Sequence, residues 1–132
     1  MAEVVEAQHA APPRSRFARI AGVSPLVPAA RAAYRGALGE LMVGDVLENL
    51  GSRWDVLHDL PLGRGVLDHL VIGPAGVCAV VTANYSDRDV VIDGTTLLVT
   101  GEPRYDIALA AEAADAAASL LSEASGDRVR VR

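Results

Sequence analysis

The sequence predicts an α/β domain in which a mixed β-sheet is flanked by two helices. Two segments of helix-forming composition, near residues 30–50 and 107–124, enclose a region of short apolar runs. Those runs are rich in β-branched residues and are separated by turn sequences, which is typical of strands. The resulting order is α-β-β-β-α-β with an extra hairpin before the second helix, which indicates a layered fold. A chain of 132 residues can form one such domain with one core.

The central stretch, residues 66–85, predicts a β-hairpin that is buried on both faces. Gly-Pro-Ala-Gly at residues 73–76 separates two apolar runs and has the composition of a tight turn. We expect Ile72 to lie opposite Val77 across this turn, because directly opposed residues of a hairpin share a face of the sheet.

The same register brings a carboxylate beside two aliphatic positions. It places Asp68 opposite Val81, with Ala83 two residues further along on the same face. Neighbouring residues of a strand point to opposite faces, so we expect His69 to face away from Asp68. Neither His58 nor His69 has a second histidine at metal-ligand spacing, which favours packed or hydrogen-bonded histidines.

The remaining elements follow from periodicity and turn signals. The first helix is expected from about Ala30 to Leu50, and it is apolar on more than one side, so we expect it to be largely buried. The second helix is expected from Ile107 to about Ala124. Further strands are predicted at residues 54–60, 77–82, 90–92, 95–99 and 129–132.

Residues 1–29 are expected to form a flexible leader before a domain at 30–132. They carry four prolines among Ala, Arg and Ser. The leader also contains a small basic cluster. We favour the interpretation that these residues are solvated over the alternative that they contact phosphate or a partner. The cluster consists of Arg14, Arg16, Phe17 and Arg19.

The composition argues against several classes of function and site. All 12 basic residues are arginine, and arginine stays protonated, so the chain lacks a lysine that could carry protons. The net charge of −5 argues against broad phosphate binding.

The single cysteine, Cys78, excludes an internal disulfide and zinc-finger sites. The chain has no run of 18 apolar residues and no signal-peptide pattern, so a cytoplasmic protein without a membrane segment is expected.

Several segments resemble the nuclease-related domain (NERD) of the PD-(D/E)XK nuclease superfamily. Gly-Ala-Leu-Gly-Glu at 36–40 resembles the opening helix motif of the family, and residues 67–77 resemble its central hairpin. The pair Asn-Tyr at 84–85 resembles the pair that follows the lysine of the family. The resemblance covers roughly residues 31–132 and implies a restriction-endonuclease-like core. Family members usually continue beyond this point, so C-terminal truncation of the domain is one expectation.

The resemblance fails at the positions that carry the chemistry. Metal-dependent phosphodiester cleavage uses two carboxylates that hold a divalent ion, with a lysine beside them. The family has Glu-Thr-Lys or Asp-Thr-Lys where this chain has Val-Thr-Ala at 81–83. The resemblance therefore implies a vestigial site at Glu40, Asp68, Val81 and Ala83, of which Glu40 and Asp68 are the candidate metal ligands. We expect no cofactor, or Mg²⁺ or Mn²⁺ in an active protein, and we expect Val81 to fill space as part of the core.

Three functions stay open. The favoured one is a pseudoenzyme, an inactive nuclease-related domain that acts as a binding or structural module. The second is a metal-dependent DNA or RNA nuclease with a relocated site. That site would combine Glu40 and Asp68 with one of Asp87, Asp89 or Asp115. The third is an assembly or regulatory protein whose arginine-bearing leader or terminal edge strand contacts nucleic acid or another protein.

Overall fold

The structure, a computed structural model, describes residues 28–132 and has a mixed α/β fold. The predicted basic cluster of the leader lies outside these residues. The described elements are α1 (Pro28–Glu48), β1 (Asp55–Pro61), β2 (Val66–Gly73), β3 (Gly76–Val80), β4 (Val90–Asp93), β5 (Thr96–Val99), β6 (Glu102–Arg104) and α2 (Asp106–Ser125). The predicted α/β class, with two helices around strands, is therefore confirmed. Strand β6 was not predicted, because proline and glycine around it indicated a break in the chain.

The strands form two small antiparallel sheets, in the orders β1-β2-β3 and β4-β5-β6. The predicted hairpin register is confirmed, since Ile72 lies opposite Val77 and Leu70 lies opposite Ala79. Pairing ends at His69 and Val80, one residue before the predicted pair of Asp68 and Val81. The turn between Gly73 and Gly76 thus fixes the register of β3 on β2.

The terminal segment, residues 128–132, forms much less of a strand than its alternating pattern predicted. Val131 makes an isolated parallel bridge with Val77 of β3. The amide N of Arg132 donates to the carbonyl of Val77 at 3.1 Å, and its carbonyl accepts from the amide N of Ala79 at 2.8 Å. The first sheet itself is antiparallel, and the parallel pairing consists of this isolated bridge outside the strands.

The core lies between the first sheet and α2. Leu67 and Leu70 of β2 are fully buried together with Ala117 of α2. The small side chains of α2 allow this helix to lie close to the sheet, and half-buried apolar residues complete the cluster. They are Leu60, Leu62, Ile72, Val77, Ala79, Ala113, Leu121 and Val131.

Helix α1 covers the other face of the sheet through two glycines. A Cβ atom at Gly39 would lie 3.2 Å from side-chain atoms of Thr82 and Asn84, and one at Gly44 would lie 3.4 Å from the His58 ring. The expectation that α1 is largely buried is wrong. It leaves a broad apolar surface exposed, because its narrow glycine-containing side makes the contact. The exposed residues of α1 are Tyr34, Leu38, Leu41, Met42 and Val46.

A polar cluster ties the loop after β3 to the start of α2. The Tyr85 hydroxyl donates to the Asp106 carboxylate at 2.8 Å and accepts from Nε of Arg104 at 2.9 Å. Burial, followed by the bond to Asp106, raises the pKa of Tyr85 above its ordinary value. No helix within the described range is both long and apolar enough to cross a membrane.

A tight contact at the end of β2 gives a test of the fold. A Cβ atom at Gly73 would lie 2.1 Å from the Trp54 ring, so Gly73→Ala must displace that ring. We expect a loss of about 1–3 kcal/mol of unfolding free energy, measured by urea denaturation.

Gly36→Ala is the matched control, because a Cβ atom at this helical position meets nothing within 4 Å. It should stabilise the domain by up to about 1 kcal/mol. Equal destabilisation by both substitutions would show that Trp54 does not cover Gly73 as described.

Candidate functional site

A cavity of about 480 Å³ lies between α1 and the strands β1 and β2. Helix α1 supplies most of its wall, and each strand contributes a pair of adjacent residues. The lining residues are Ala37, Glu40, Leu41, Gly44, Asp45, Glu48, His58, Asp59, Asp68 and His69. Five of them are carboxylates and two are histidines, and no arginine of residues 28–132 lines the cavity.

Two of the four predicted site residues meet in this cavity. Glu40 of α1 and Asp68 of β2 both line it, and they are close enough for the Asp68 charge to act on the Glu40 carboxyl. Of the described residues around the cavity, none is Val81 or Ala83. Val81 is 38% exposed, so the expectation that it fills space as part of the core is wrong.

Asp68 is held by the segment Val-Thr-Ala at residues 81–83. Its Oδ2 atom accepts a hydrogen bond of 2.6 Å from the backbone N–H of Thr82. Thr82 lies between Val81 and Ala83, so this bond brings both positions next to the Asp68 carboxylate. A charged acceptor makes such a bond strong, and it occupies one of the two carboxylate oxygens.

In β1 and β2, the regular alternation of side chains between the two faces of the sheet is interrupted at this site. His58 pairs with His69, and Leu60 pairs with Leu67, which leaves Asp59 and Asp68 opposite each other between the two pairs. The backbone of Asp59 has φ of +53°, a left-handed conformation that is uncommon in residues other than glycine. Such strained residues are frequent at functional sites.

The break explains why one prediction fails. His69 was expected to face away from Asp68, yet both residues line the cavity. Leu67 and Leu70 join the same core cluster, although strict alternation would place an odd and an even position on opposite faces. The irregularity between them turns Asp68 toward the side on which His69 lies.

The two histidines form a cross-strand pair beneath α1. His69 is 3% exposed, and its Nδ1 lies 2.9 Å from Nδ1 of His58. The Nε2 atom of His58 lies 3.4 Å from a Glu48 oxygen, which anchors the pair to α1. The Nε2 atom of His69 is buried without a partner among the described residues. A hydrogen-bonded role was expected for both, but the pairing was missed because the residues come from different strands.

Burial and the neighbouring carboxylates both act on Glu40. Burial is the first cause that raises the pKa of Glu40 above its ordinary value, and the charges of Asp68 and Asp59 raise it further. The nearby His69 acts in the opposite direction. The described part of the cavity wall therefore carries more acidic than basic side chains.

The described residues do not fit a divalent metal ion of the kind used in phosphodiester cleavage. No group of three or more His, Cys, Asp or Glu side chains in residues 28–132 is arranged to hold a metal. One oxygen of Asp68 is already bonded to Thr82. Mg²⁺ and Mn²⁺ need several oxygen ligands at short distance, which this arrangement lacks.

The candidates for a relocated site lie elsewhere. Asp115 lines a separate groove beside the terminal segment. Asp87 and Asp89 are exposed in the loop before β4 and, within the described range, are not part of the cavity wall. The carboxylates that do join Glu40 and Asp68 are Asp59 and Glu48, together with Asp45. The spacing of Glu40, Gly44 and Glu48 along one side of a helix was the signal that could have found Glu48.

The fold and the cavity define a mixed α/β protein that is consistent with an α/β nuclease-like fold. A sequence model of the nuclease-related domain (NERD) matches residues 35–131, so the chain belongs to this family. The PD-(D/E)XK superfamily is the general kind of fold of this family, and the resemblance found in the sequence is confirmed. Comparison with curated proteins and with solved structures gives no match.

The raised pKa of Glu40 predicts a gain in stability when its charge is removed. A carboxyl whose pKa is raised on folding contributes stability below its unfolded pKa and loses it as pH rises through the folded value. Glu40→Gln should therefore raise the melting temperature at pH 7, and the gain should vanish on acidification below the unfolded pKa, about 4.3. Thermal melts across this pH range measure the effect.

Glu123→Gln removes the same charge from an exposed position of α2 outside the cavity wall. It should change the melting temperature less than Glu40→Gln does. A Glu40→Gln protein that is less stable than the parent at pH 7 would mean that Glu40 has a stabilising partner.

Proposed function

We propose that this nuclease-related domain is catalytically inactive and acts as a binding or structural module. The observation that carries the proposal is the replacement of an acidic residue and a lysine by Val81 and Ala83, beside an otherwise recognisable site. Activity depends on the groups in a site, and the fold alone does not supply it.

The charges of the cavity support this proposal. In an active site of this type, a lysine and a metal ion balance the carboxylates and activate water. Here the charges of Asp68 and Asp59 act on Glu40, and the chain has no lysine. Arginine could supply positive charge, but it stays protonated and cannot accept a proton from water.

The hydrogen bond that Asp68 accepts also supports the proposal. Its bond to the Thr82 amide gives this carboxylate a structural role, because it satisfies a backbone group just after β3 ends. This role of Asp68 at the strand end does not require a metal ion. A relocated nuclease is less well supported, because Asp87, Asp89 and Asp115 are separate from Glu40 and Asp68.

A nuclease assay tests the proposal directly. The purified protein with Mg²⁺ or Mn²⁺ should cleave single- and double-stranded DNA and RNA no faster than Asp68→Asn does. The reason is that catalytic groups of the missing kinds contribute about a hundredfold or more each. Asn keeps an oxygen for the Thr82 amide, so this control preserves the fold better than alanine. Cleavage that Asp68→Asn abolishes would overturn the proposal.

Restoring the two lost groups asks whether the geometry of the site survives. In Val81→Glu/Ala83→Lys, we expect Mn²⁺ to raise the melting temperature, because a ligand that binds only the folded state stabilises it by about 2.7 kcal/mol at a hundred times its Kd. Both positions are exposed, so the new side chains need not displace core residues.

Val81→Gln/Ala83→Met is the matched control, since it adds similar volume without the charges. Neither this control nor the parent should respond to Mn²⁺ to the same degree. A folded Glu/Lys variant without a Mn²⁺-dependent shift would show that positions 81 and 83 no longer form a site with Glu40 and Asp68.

A further inference from the structure

Two sheet edges of the domain present complementary patterns outside the carboxylate cavity. The first is β4, which pairs with β5 on one side and lies at the edge of the second sheet. All four of its residues are exposed, and Ile92 is 68% exposed. Three consecutive apolar residues on an exposed edge are unusual, because such an edge readily pairs with another chain. They are flanked by Asp89 and Asp93.

The second edge is the terminal segment, residues 128–132, outside β3. Arg132 uses both its N–H and its carbonyl on β3, so Val131 directs its own peptide groups away from the sheet. The peptide groups of Val129 are engaged by the Ser122 hydroxyl. The outer side at Val131 is therefore the part of this segment that is open to backbone pairing.

The side chains of the segment alternate in exposure. Val129 and Val131 are half-buried, whereas Arg128, Arg130 and Arg132 are exposed. Within residues 28–132, no ion pair involves any of these arginines, Asp89 or Asp93. The domain thus has a basic edge and an acidic edge whose charges it does not neutralise itself.

The side chains of the two edges are complementary, and backbone hydrogen bonds between the edges would form at Val131, because the peptide groups of Val129 are already engaged. Asp-Val-Val-Ile-Asp at 89–93 and Arg-Val-Arg-Val-Arg at 128–132 are both five residues long. Pairing in either direction places Arg128 and Arg132 opposite the two aspartates, about 13 Å apart along the strand. The same pairing places the valines of one segment opposite Val90 and Ile92 of the other. Opposite charges and apolar pairs directly across a ladder are both stabilising.

We infer that β4 of one molecule docks against the terminal segment of a second copy of this chain. Each molecule carries both edges, and the two edges differ, so the contact is head-to-tail and can continue from copy to copy. The inference concerns residues that do not line the cavity of Glu40 and Asp68. It stands whether or not the domain cleaves nucleic acid.

A charge swap tests the contact. Sedimentation velocity over a series of protein concentrations should show self-association of the full chain that weakens as NaCl is raised. Arg128→Asp/Arg132→Asp makes both edges acidic, and Asp89→Arg/Asp93→Arg makes both edges basic. Each variant alone should associate about tenfold more weakly than the parent or not at all. An equimolar mixture of the two should regain association, because each acidic edge then meets a basic one.

Arg53→Asp/Arg64→Asp is the matched control, because it makes the same charge change at exposed arginines outside the terminal segment. It should leave association unchanged, and thermal melts should show that every variant folds. If a swapped variant fails to fold, two milder variants take its place. They are Arg128→Gln/Arg132→Gln and Asp89→Asn/Asp93→Asn, and each should weaken association.

Several outcomes would overturn the inference. A parent protein that remains monomeric at all concentrations is one, and a mixture of swapped variants that stays monomeric is another. Association that disappears on nuclease treatment would also overturn it, because nucleic acid would then bridge the molecules.

Discussion

Strand β2 (Val66–Gly73) is the constraint on which the rest of the domain depends, because it lies between two strands and between two helices. It pairs with β1 on one side and with β3 on the other. Leu67 and Leu70 pack toward α2, while His69 lies under Gly44 of α1. A residue on β2 therefore faces either an apolar core or a polar cavity, and the irregularity at Asp68 marks the change between them.

The polar side of β2 resembles a functional site more than it resembles a hydrophobic core. A protein that maximised stability would not place Glu40, Asp59 and Asp68 close enough to raise the pKa of one of them. Nor would it leave a buried ring nitrogen of His69 without a described partner. Such costs are typical of functional sites.

The sequence allowed the central hairpin to be predicted, since Gly-Pro-Ala-Gly determines the turn and the turn determines the register. Strict alternation could not anticipate the left-handed Asp59, because an aspartate in a strand has no sequence signal for that conformation. The His58–His69 pair also could not be predicted from the sequence, since it joins two strands whose register depends on that irregular region. The exposure of α1 was mispredicted because glycines, which carry no apolar signal, form its contact with the sheet.

The contact between His58 and His69 determines where protons can lie. Two imidazole rings joined through their Nδ1 atoms must differ, because one ring donates and the other accepts. If His58 donates, its Nε2 has no proton in the neutral ring, and His69 carries its proton on the buried Nε2. If His69 donates, its buried Nε2 is a bare lone pair, and His58 can direct an Nε2–H toward Glu48. The second arrangement satisfies Glu48 and leaves no buried donor unpaired. The strand pairing thus selects a pair of complementary tautomers, and the identity of each ring is set by its neighbour across the sheet.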